Sequence, residues 1–362
     1  MAIYKIFPEK SATLYSYSSS LNSGLDEILE LSTFYTVTNE VSRVLLKFPQ
    51  SEITDIINNK VSGSTYDAYL KLYLANATEI PLDYTIFSHP ISGSWNMGTG
   101  RATNLPITTD GVSWKFKDQL SGSAWTTGTF PGNTTGSYTG SNVGGGVWNI
   151  TASYASSQSF TYITPKDIEL KVTNVVSAWN SGSISNDGFI LKHSSSLEFT
   201  SASKFELKYF SGNTHTIYPP CLEIRWNDSI YNSSLTQVTS DLIVATITNN
   251  QSKYQQDSVQ RFRVNIRDKY PTRIFQTASL YLNNKILPSS SYWSIKDLDT
   301  EEIVIDFDTN YTKISADSQG NYFDVYLSGM QPERYYQILI KTILSNGEVL
   351  IFNDNYYFKV VR

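Results

Sequence analysis

Hydrophobic alternation with a period of two runs through almost the whole chain. Arg43-Val-Leu-Leu-Lys-Phe48, Ala68-Tyr-Leu-Lys-Leu-Tyr-Leu74, Ile168-Glu-Leu-Lys-Val172 and Gly188-Phe-Ile-Leu-Lys192 are runs of strand length. Lys204-Phe-Glu-Leu-Lys-Tyr209 and Cys221-Leu-Glu-Ile-Arg-Trp226 are two more. In a strand, successive side chains leave on opposite faces, so such runs bury one face and wet the other. Clusters of Gly, Ser, Asn and Pro separate the runs and supply the turns between strands. Helical spacing is scarce. Glu52–Lys60 is the best short helix, with Ser51 placed to cap it. Gly24–Leu31 has helical propensity but also fits a strand. The expected class is all-β.

At 362 residues the chain exceeds one ordinary sandwich. A β-sandwich is expected over 1–228. A linker or connecting strand follows over 229–259, where Asn227–Gln260 turns polar around Leu242-Ile-Val-Ala-Thr-Ile247. A smaller immunoglobulin- or fibronectin-like sandwich is expected over 260–362, with strands near 260–267, 273–282, 301–307, 321–328, 334–343 and 355–361. Within it, Gly329-Met-Gln-Pro332-Glu-Arg-Tyr-Tyr336 resembles a fibronectin-type tyrosine corner. In that motif a Pro stands four residues before a Tyr whose hydroxyl ties back to the backbone.

Only 17% of residues are charged, while Tyr and Phe number 25 and 17. Depletion of charge with a surplus of aromatics is the composition of protein interfaces, although a coding bias toward Asn, Ile, Lys and Tyr gives the same numbers. The net charge of −5 argues against a nucleic-acid partner. The densest basic stretch, Arg261-Phe-Arg-Val-Asn-Ile-Arg267, puts Arg261, Arg263 and Arg267 on one strand face. That face is expected to be solvated or paired with acidic neighbours. Cys221 is the lone cysteine, so no intrachain disulfide forms. The first ten residues do not read as a secretory signal, and no run approaches the roughly 18 apolar residues of a membrane span. Without secretion, the sequons at Asn133 and Asn232 read as polar loops.

Candidate chemistry is sparse. His89, His193 and His215 lie at no metal-ligand spacing, and a surface or loop position is the ordinary reading for each. Gly98-Thr-Gly100 reads as a turn, since no helix follows to face a phosphate. Asp83, Asp110 and Asp167 are carboxylates of the kind a glycosidase pairs, yet nothing singles them out. Asp306, Asp308 and Asn310 alternate oxygens as a calcium loop does, but Tyr311 fills the position where such a loop needs glycine. A strand end entering an Asx turn explains them equally. No catalytic residue and no cofactor is expected.

The Gly/Ser/Thr-rich segment Ile91–Tyr162 carries Trp95, Trp114, Trp125 and Trp148. Long loops folded over the sandwich, each anchored by a buried indole, are the expected arrangement. The sharper alternative is an exposed row of rings forming a contact surface or a sugar-stacking platform.

Several stretches together resemble the DNRLRE-type β-sandwich, a jelly-roll-like domain akin to carbohydrate-binding modules. They are Lys10-Ser-Ala-Thr-Leu-Tyr-Ser16, Ser42-Arg-Val-Leu-Leu-Lys-Phe48, Ser94-Trp-Asn-Met-Gly-Thr-Gly100, Val172-Thr-Asn-Val-Val-Ser-Ala-Trp179 and Asn186-Asp-Gly-Phe-Ile-Leu-Lys192. Asn22-Ser-Gly-Leu-Asp-Glu-Ile-Leu-Glu30, Asp297-Leu-Asp-Thr-Glu-Glu302 and the ending Asp354-Asn-Tyr-Tyr-Phe-Lys-Val-Val-Arg362 look like tailed-bacteriophage virion proteins. The resemblance implies a virion component assembled in the host cytoplasm, in the neck, tail ring, baseplate or a capsid decoration. Its implied partners are other virion proteins and copies of itself, with no nucleic-acid contact and no membrane insertion. A tail-fibre module binding a host-surface glycan is the alternative.

Overall fold

The structure is a computed structural model that describes residues 2–35, 39–61, 63, 65–125, 144–194, 198, 204–270 and 285–362. It is nearly all β. The elements, in chain order, are β1 (Ala2–Ile6), β2 (Lys10–Tyr15), β3 (Ile28–Tyr35), β4 (Asn39–Lys47), α1 (Gln50–Asp55), β5 (Tyr66–Leu72), β6 (Leu74–Thr78), β7 (Asp83–Pro90), β8 (Phe116–Asp118), β9 (Ser123–Ala124), β10 (Ser156–Thr161), β11 (Ile168–Lys171), α2 (Thr173–Ser181), β12 (Phe189–His193), β13 (Phe205–Phe210) and β14 (Cys221–Trp226). They continue as β15 (Ile243–Ile247), β16 (Lys253–Gln255), β17 (Val259–Asp268), β18 (Ser291–Asp297), β19 (Ile303–Ile305), β20 (Ser315–Asp317), β21 (Gly320–Tyr326), β22 (Tyr335–Ile343), β23 (Val349–Phe352) and β24 (Tyr357–Val361).

Two compact units divide the chain. The larger holds Ile6–Lys60 and Asp67–Glu223, and the other holds residues 1–5, 61–66 and 224–362. The stretch 229–259, expected as a linker or connecting strand, falls within the second unit. It supplies β15 and β16 to the second unit, where β15 pairs with β17 and β16 pairs in parallel with β24. Its polar residues face outward while Ile243, Ala245, Ile247 and Tyr254 enter the core, and that alternation is what a short surface strand needs.

In the larger unit the sheet order is β10-β7-β12-β4-β3-β13-β6, with β2 also on β4. The β13 ring of Phe205 reaches His193 of β12 at 4.6 Å and Tyr84 of β7 at 6.0 Å. The β3–β13 part of the sheet thus packs over the β12–β7 part around an aromatic interior. Gly24–Leu31 resolves in favour of extended chain, since Ile28 opens β3. The helix expected over Glu52–Lys60 begins at Gln50 and runs through a π-helical turn, Ile56–Lys60. Ser51 is inside it, and Pro49 holds the cap position with no side-chain bond. α2 is a second helix, ended by Gly182 at φ +74°, the left-handed conformation glycine takes at no steric cost.

In the second unit one sheet runs β15-β17-β21-β20 and the other β16-β24-β22-β18-β19, with β23 also on β22. Trp293, Phe323, Phe262 and Phe358 stack in series at 5.2, 5.5 and 5.5 Å between ring centres. Tyr336 forms the expected corner: its hydroxyl donates to the Gln331 carbonyl at 3.1 Å and accepts the Gln331 amide at 2.8 Å. β18 escaped sequence reading because six of its seven residues are buried, which erases the alternation. The strand expected over 273–282 lies outside the described residues, as does Asn133.

Candidate functional site

The outer face of the β2–β4–β12–β7 layer is built in register. Ala12, Leu45, Ile190 and His89 lie side by side in one row across the four strands. In the next row Leu14 stands opposite Arg43, and Lys192 opposite Phe87. Two cations therefore occupy positions whose parity belongs to an apolar face.

The segment after β7 folds over this face. Trp95, Trp114, Trp125 and Trp148 join Ala12, Leu14, Leu45 and Ile190 in one core, with 4%, 3%, 3% and 2% of their surfaces exposed. Their burial rules out an exposed stacking platform made of these rings, because no ring face is left for a ligand. Trp95 donates its indole N–H to the Asp187 carbonyl at 2.8 Å, and Trp125 to the Ser113 carbonyl at 3.0 Å. Residues 126–143 of the same segment lie outside the described residues.

Asn22, fully buried, pins the first part of the cover. Its amide donates to the carbonyls of Met97 and Val112, and its oxygen accepts the amides of Gly24 and Gly100. A Cβ on Gly98 would stand 2.5 Å from the Asn22 side chain, and one on Gly100 would stand 2.3 Å from the Asn22 carbonyl. Gly98-Thr-Gly100 is thus a cradle for an asparagine.

Beneath the cover sits a buried ionic trio. Glu198 accepts Arg43 through Oε1 at 2.7 Å and Oε2 at 3.0 Å, and Lys192 Nζ lies 2.9 Å from Oε2. Arg43 also donates to the Gly145 carbonyl at 2.6 Å and lies 4.9 and 5.2 Å from the rings of Trp114 and Trp148. A Cβ at Gly145, where φ is +83°, would collide with both Arg43 and Trp114. Hence the glycine run Gly144-Gly-Gly146. Burial alone would push the Glu198 carboxyl up, but Arg43 and Lys192 together hold it below the usual carboxylate range. Burial lowers Lys192 against the pull of Glu198. A buried charge is tolerable only when paired and hydrogen-bonded. This set fastens loops to a sheet, and it is closed to solvent.

His89 lies in β7 where a loop was expected, and His193, at the end of β12, is buried against Phe205 where a surface position was expected. His89 stacks between Phe87 and Trp148 at 6.2 and 6.0 Å. Burial first, then the charge of Lys192, pushes its pKa down to about 4. Period-two strands ending in a polar residue carried no signal that a cover would fall across them. His215 is exposed, 3.7 Å from Glu27.

The remaining candidates do not converge. Asp308 Oδ1 accepts the amides of Asn310 and Tyr311 at 2.6 and 2.9 Å, and Asp306 that of Phe307 at 2.7 Å. Asp308 thus closes an Asx turn on its own backbone, and Asp306 accepts the amide of its next neighbour. Asp110 clasps Thr99, and Asp167 accepts the Leu74 amide. Among the described residues no three His, Cys, Asp or Glu side chains cluster as metal ligands. Arg261 and Arg263 form two-pronged ion pairs with Asp324 and Asp317, each bond 2.8 or 2.9 Å, and their guanidiniums lie 4.3 and 5.3 Å from the centre of the Tyr322 ring.

One cleft opens on the larger unit, between β10 and β11. It holds about 420 Å³ and is lined by Lys71, Tyr73, Gln158, Thr164, Asp167 and Glu169 among others. Gln158 bridges the two strands as a missing rung would, donating to the Asp167 carbonyl at 3.2 Å and accepting the Glu169 amide at 2.8 Å. Beside it stand Tyr162 and Ile163, with Leu82 next to them because Asp83 pairs with Thr161. All three are exposed, Ile163 to 89%.

Of the sequence candidates, the four tryptophans come together, and they do so inside. Arg43, Lys192 and Glu198 were missed. Their one signal was a charge at apolar-face parity on two strands.

No helix among the described residues is long and apolar enough to cross a membrane. No protein-family model matches the chain, and no curated protein matches it. Among solved structures it is similar to a DUF4785 family protein from Legionella pneumophila subsp. pneumophila str. Philadelphia 1, at 8% identity and a TM-score of 0.16. That match covers 98% of this chain and 65% of the other. A TM-score of that size bears on neither fold nor function.

Proposed function

We propose that this chain is a non-catalytic structural subunit of a tailed-bacteriophage virion, assembled in the host cytoplasm through contacts with other virion proteins and with copies of itself. The neck, tail ring, baseplate and capsid decorations are the positions the proposal covers. The observation that carries it is the division of labour among side chains. The tryptophans and the strongest ionic cluster are spent inside, while grouped apolar side chains are left outside at the ends of paired strands and on tied-down loops. Leu82, Tyr162 and Ile163 form one such group. Leu105 tips a loop clasped by Thr99 to Asp110, Asn104 to Thr108, and the Ala102 amide to Asp26. A grouped apolar patch on a preformed support binds protein without paying to order itself. The virion itself enters from the sequence resemblance alone.

The test is proteomic and genetic. Mass spectrometry of purified particles detects this chain in stoichiometric amount, and Leu82→Asp with Ile163→Asp lowers its incorporation while the melting temperature holds. Particles that lack the chain reject the proposal. A second reading, a glycan-binding module, is favoured by the cleft, whose carboxylates, amide and tyrosine suit hydroxyl groups on an apolar floor. Under that reading Gln158→Ala and Asp167→Ala abolish glycan-array signal, and an array without hits removes it.

A further inference from the structure

We propose that β23 is a dimerisation edge, and that its occupant is β23 of a second copy, antiparallel about a two-fold axis at Leu350. Among the described residues β23 pairs with β22 alone, in the register Ile340↔Phe352 to Ile343↔Val349. Leu344 donates to the Glu348 carbonyl at 2.8 Å, which makes 344 and 348 a hydrogen-bonded pair. Antiparallel ladders alternate bonded and non-bonded pairs, so Glu348, Leu350 and Phe352 face β22. The amides and carbonyls of Val349 and Ile351 then point outward, away from the sheet. The Ser290 carbonyl accepts the amide of Ile343, which confirms the phase, because Ile343 stands opposite Val349 and turns its own groups the other way.

Among the described residues of β23 no side chain guards this edge. Natural edges carry lysine, proline or an inward charge to prevent pairing, whereas Val-Leu-Ile-Phe has none. Val349 and Ile351 are 53% and 60% exposed. A two-fold axis at Leu350 sets Val349 opposite Ile351 of the partner strand and bonds all four outward groups on each side. It also puts each residue opposite one of the same parity, so apolar side chains meet on one face. Moving the axis to Ile351 would set Glu348 against Asp354 of the second copy, like charge on like. Of these two placements only the axis at Leu350 opposes no like charges, and that self-complementary register favours a second copy over an arbitrary strand. Such isologous contacts are closed by symmetry.

The inference names the partner of one edge within the assembly reading, but its readout is solution state, not particle composition, so either can fail alone. Sedimentation of the purified chain over a range from about 1 to several hundred µM shows a concentration-dependent dimer. Hydrogen exchange shows the Val349 and Ile351 amides becoming protected as concentration rises. Ile351→Lys and, separately, Ile351→Pro return the chain to monomer with an unchanged melting temperature, because neither touches a bond to β22. Ile351→Val keeps the dimer. A chain that stays monomeric across the range, or a dimer that survives both Ile351→Lys and Ile351→Pro, overturns the proposal.

Discussion

The Arg43 guanidinium and the Glu198 carboxylate, 155 residues apart in the chain, meet as a two-pronged pair with both side chains fully buried. Lys192 shares the same carboxylate, so one anion balances two cations beneath a lid of indoles. Removing one partner of a buried pair costs more than the pair itself contributes, because the remaining charge stays desolvated.

Glu198→Gln therefore leaves two uncompensated cations and lowers stability by about 3–5 kcal/mol. In a unit of this size that is a drop of roughly 6–20 °C in melting temperature. Calorimetry reads it directly, and a shift below about 2 °C would show that the trio does not hold the cover down.

Acid weakens the same face through His89. Its folded pKa, about 4, lies below the 6.5 of an unfolded histidine, so the unfolded chain takes up the proton first. This contribution is complete above pH 6.5, is lost as pH falls toward 4, and levels off below. It amounts to about 3 kcal/mol. His193 is displaced in the same direction, by burial first. Urea denaturation from pH 7 to 4 should show a shallower slope for His89→Phe than for the parent, and equal slopes would refute the assignment.

The four covered indoles make a spectroscopic prediction. Iodide leaves the fluorescence of Trp95, Trp114, Trp125 and Trp148 largely unquenched, as read from single-tryptophan variants. Trp148→Ala opens a cavity over Arg43 and costs about 3–5 kcal/mol. Free quenching of these rings in the folded chain would contradict their burial.

Tyr336→Phe deletes both hydroxyl bonds to the Gln331 backbone. The expected loss is about 1–3 kcal/mol, since an amide is left without its acceptor. Equilibrium unfolding followed by near-ultraviolet dichroism tests it, and an unchanged midpoint would count against the corner.

Asp308→Ala removes the acceptor of two turn amides and costs about 1 kcal/mol whether or not calcium is present. A melting temperature that rises with added calcium in the parent, and ceases to rise in Asp308→Ala, would restore the ion.

Particular elements show how far the sequence could be read. β5 and β17 were legible because each buries one face more deeply than the other, which writes a two-residue period, whereas β4 and β12, buried almost throughout, were legible as short apolar runs of strand length. The tyrosine corner was legible because a five-residue motif carries its own geometry. β18 was not, since burial on both faces with polar Ser291, Ser294 and Asp297 inside leaves no alternation to read, and α2 was missed as well. Arg43, Lys192 and Glu198 were not singled out, because a charge within an alternating strand is also what a solvated face gives.

What the sequence determined alone is local: the strands, their faces, most of their turns, and a composition that leaves little charge for the surface. Which charges would be buried was decided only when β4 and β12 came to lie side by side and a loop some hundred residues from Arg43 was laid across them. Alternation is a property of neighbours along the chain, whereas desolvation is a property of neighbours in space, and no local pattern records the second.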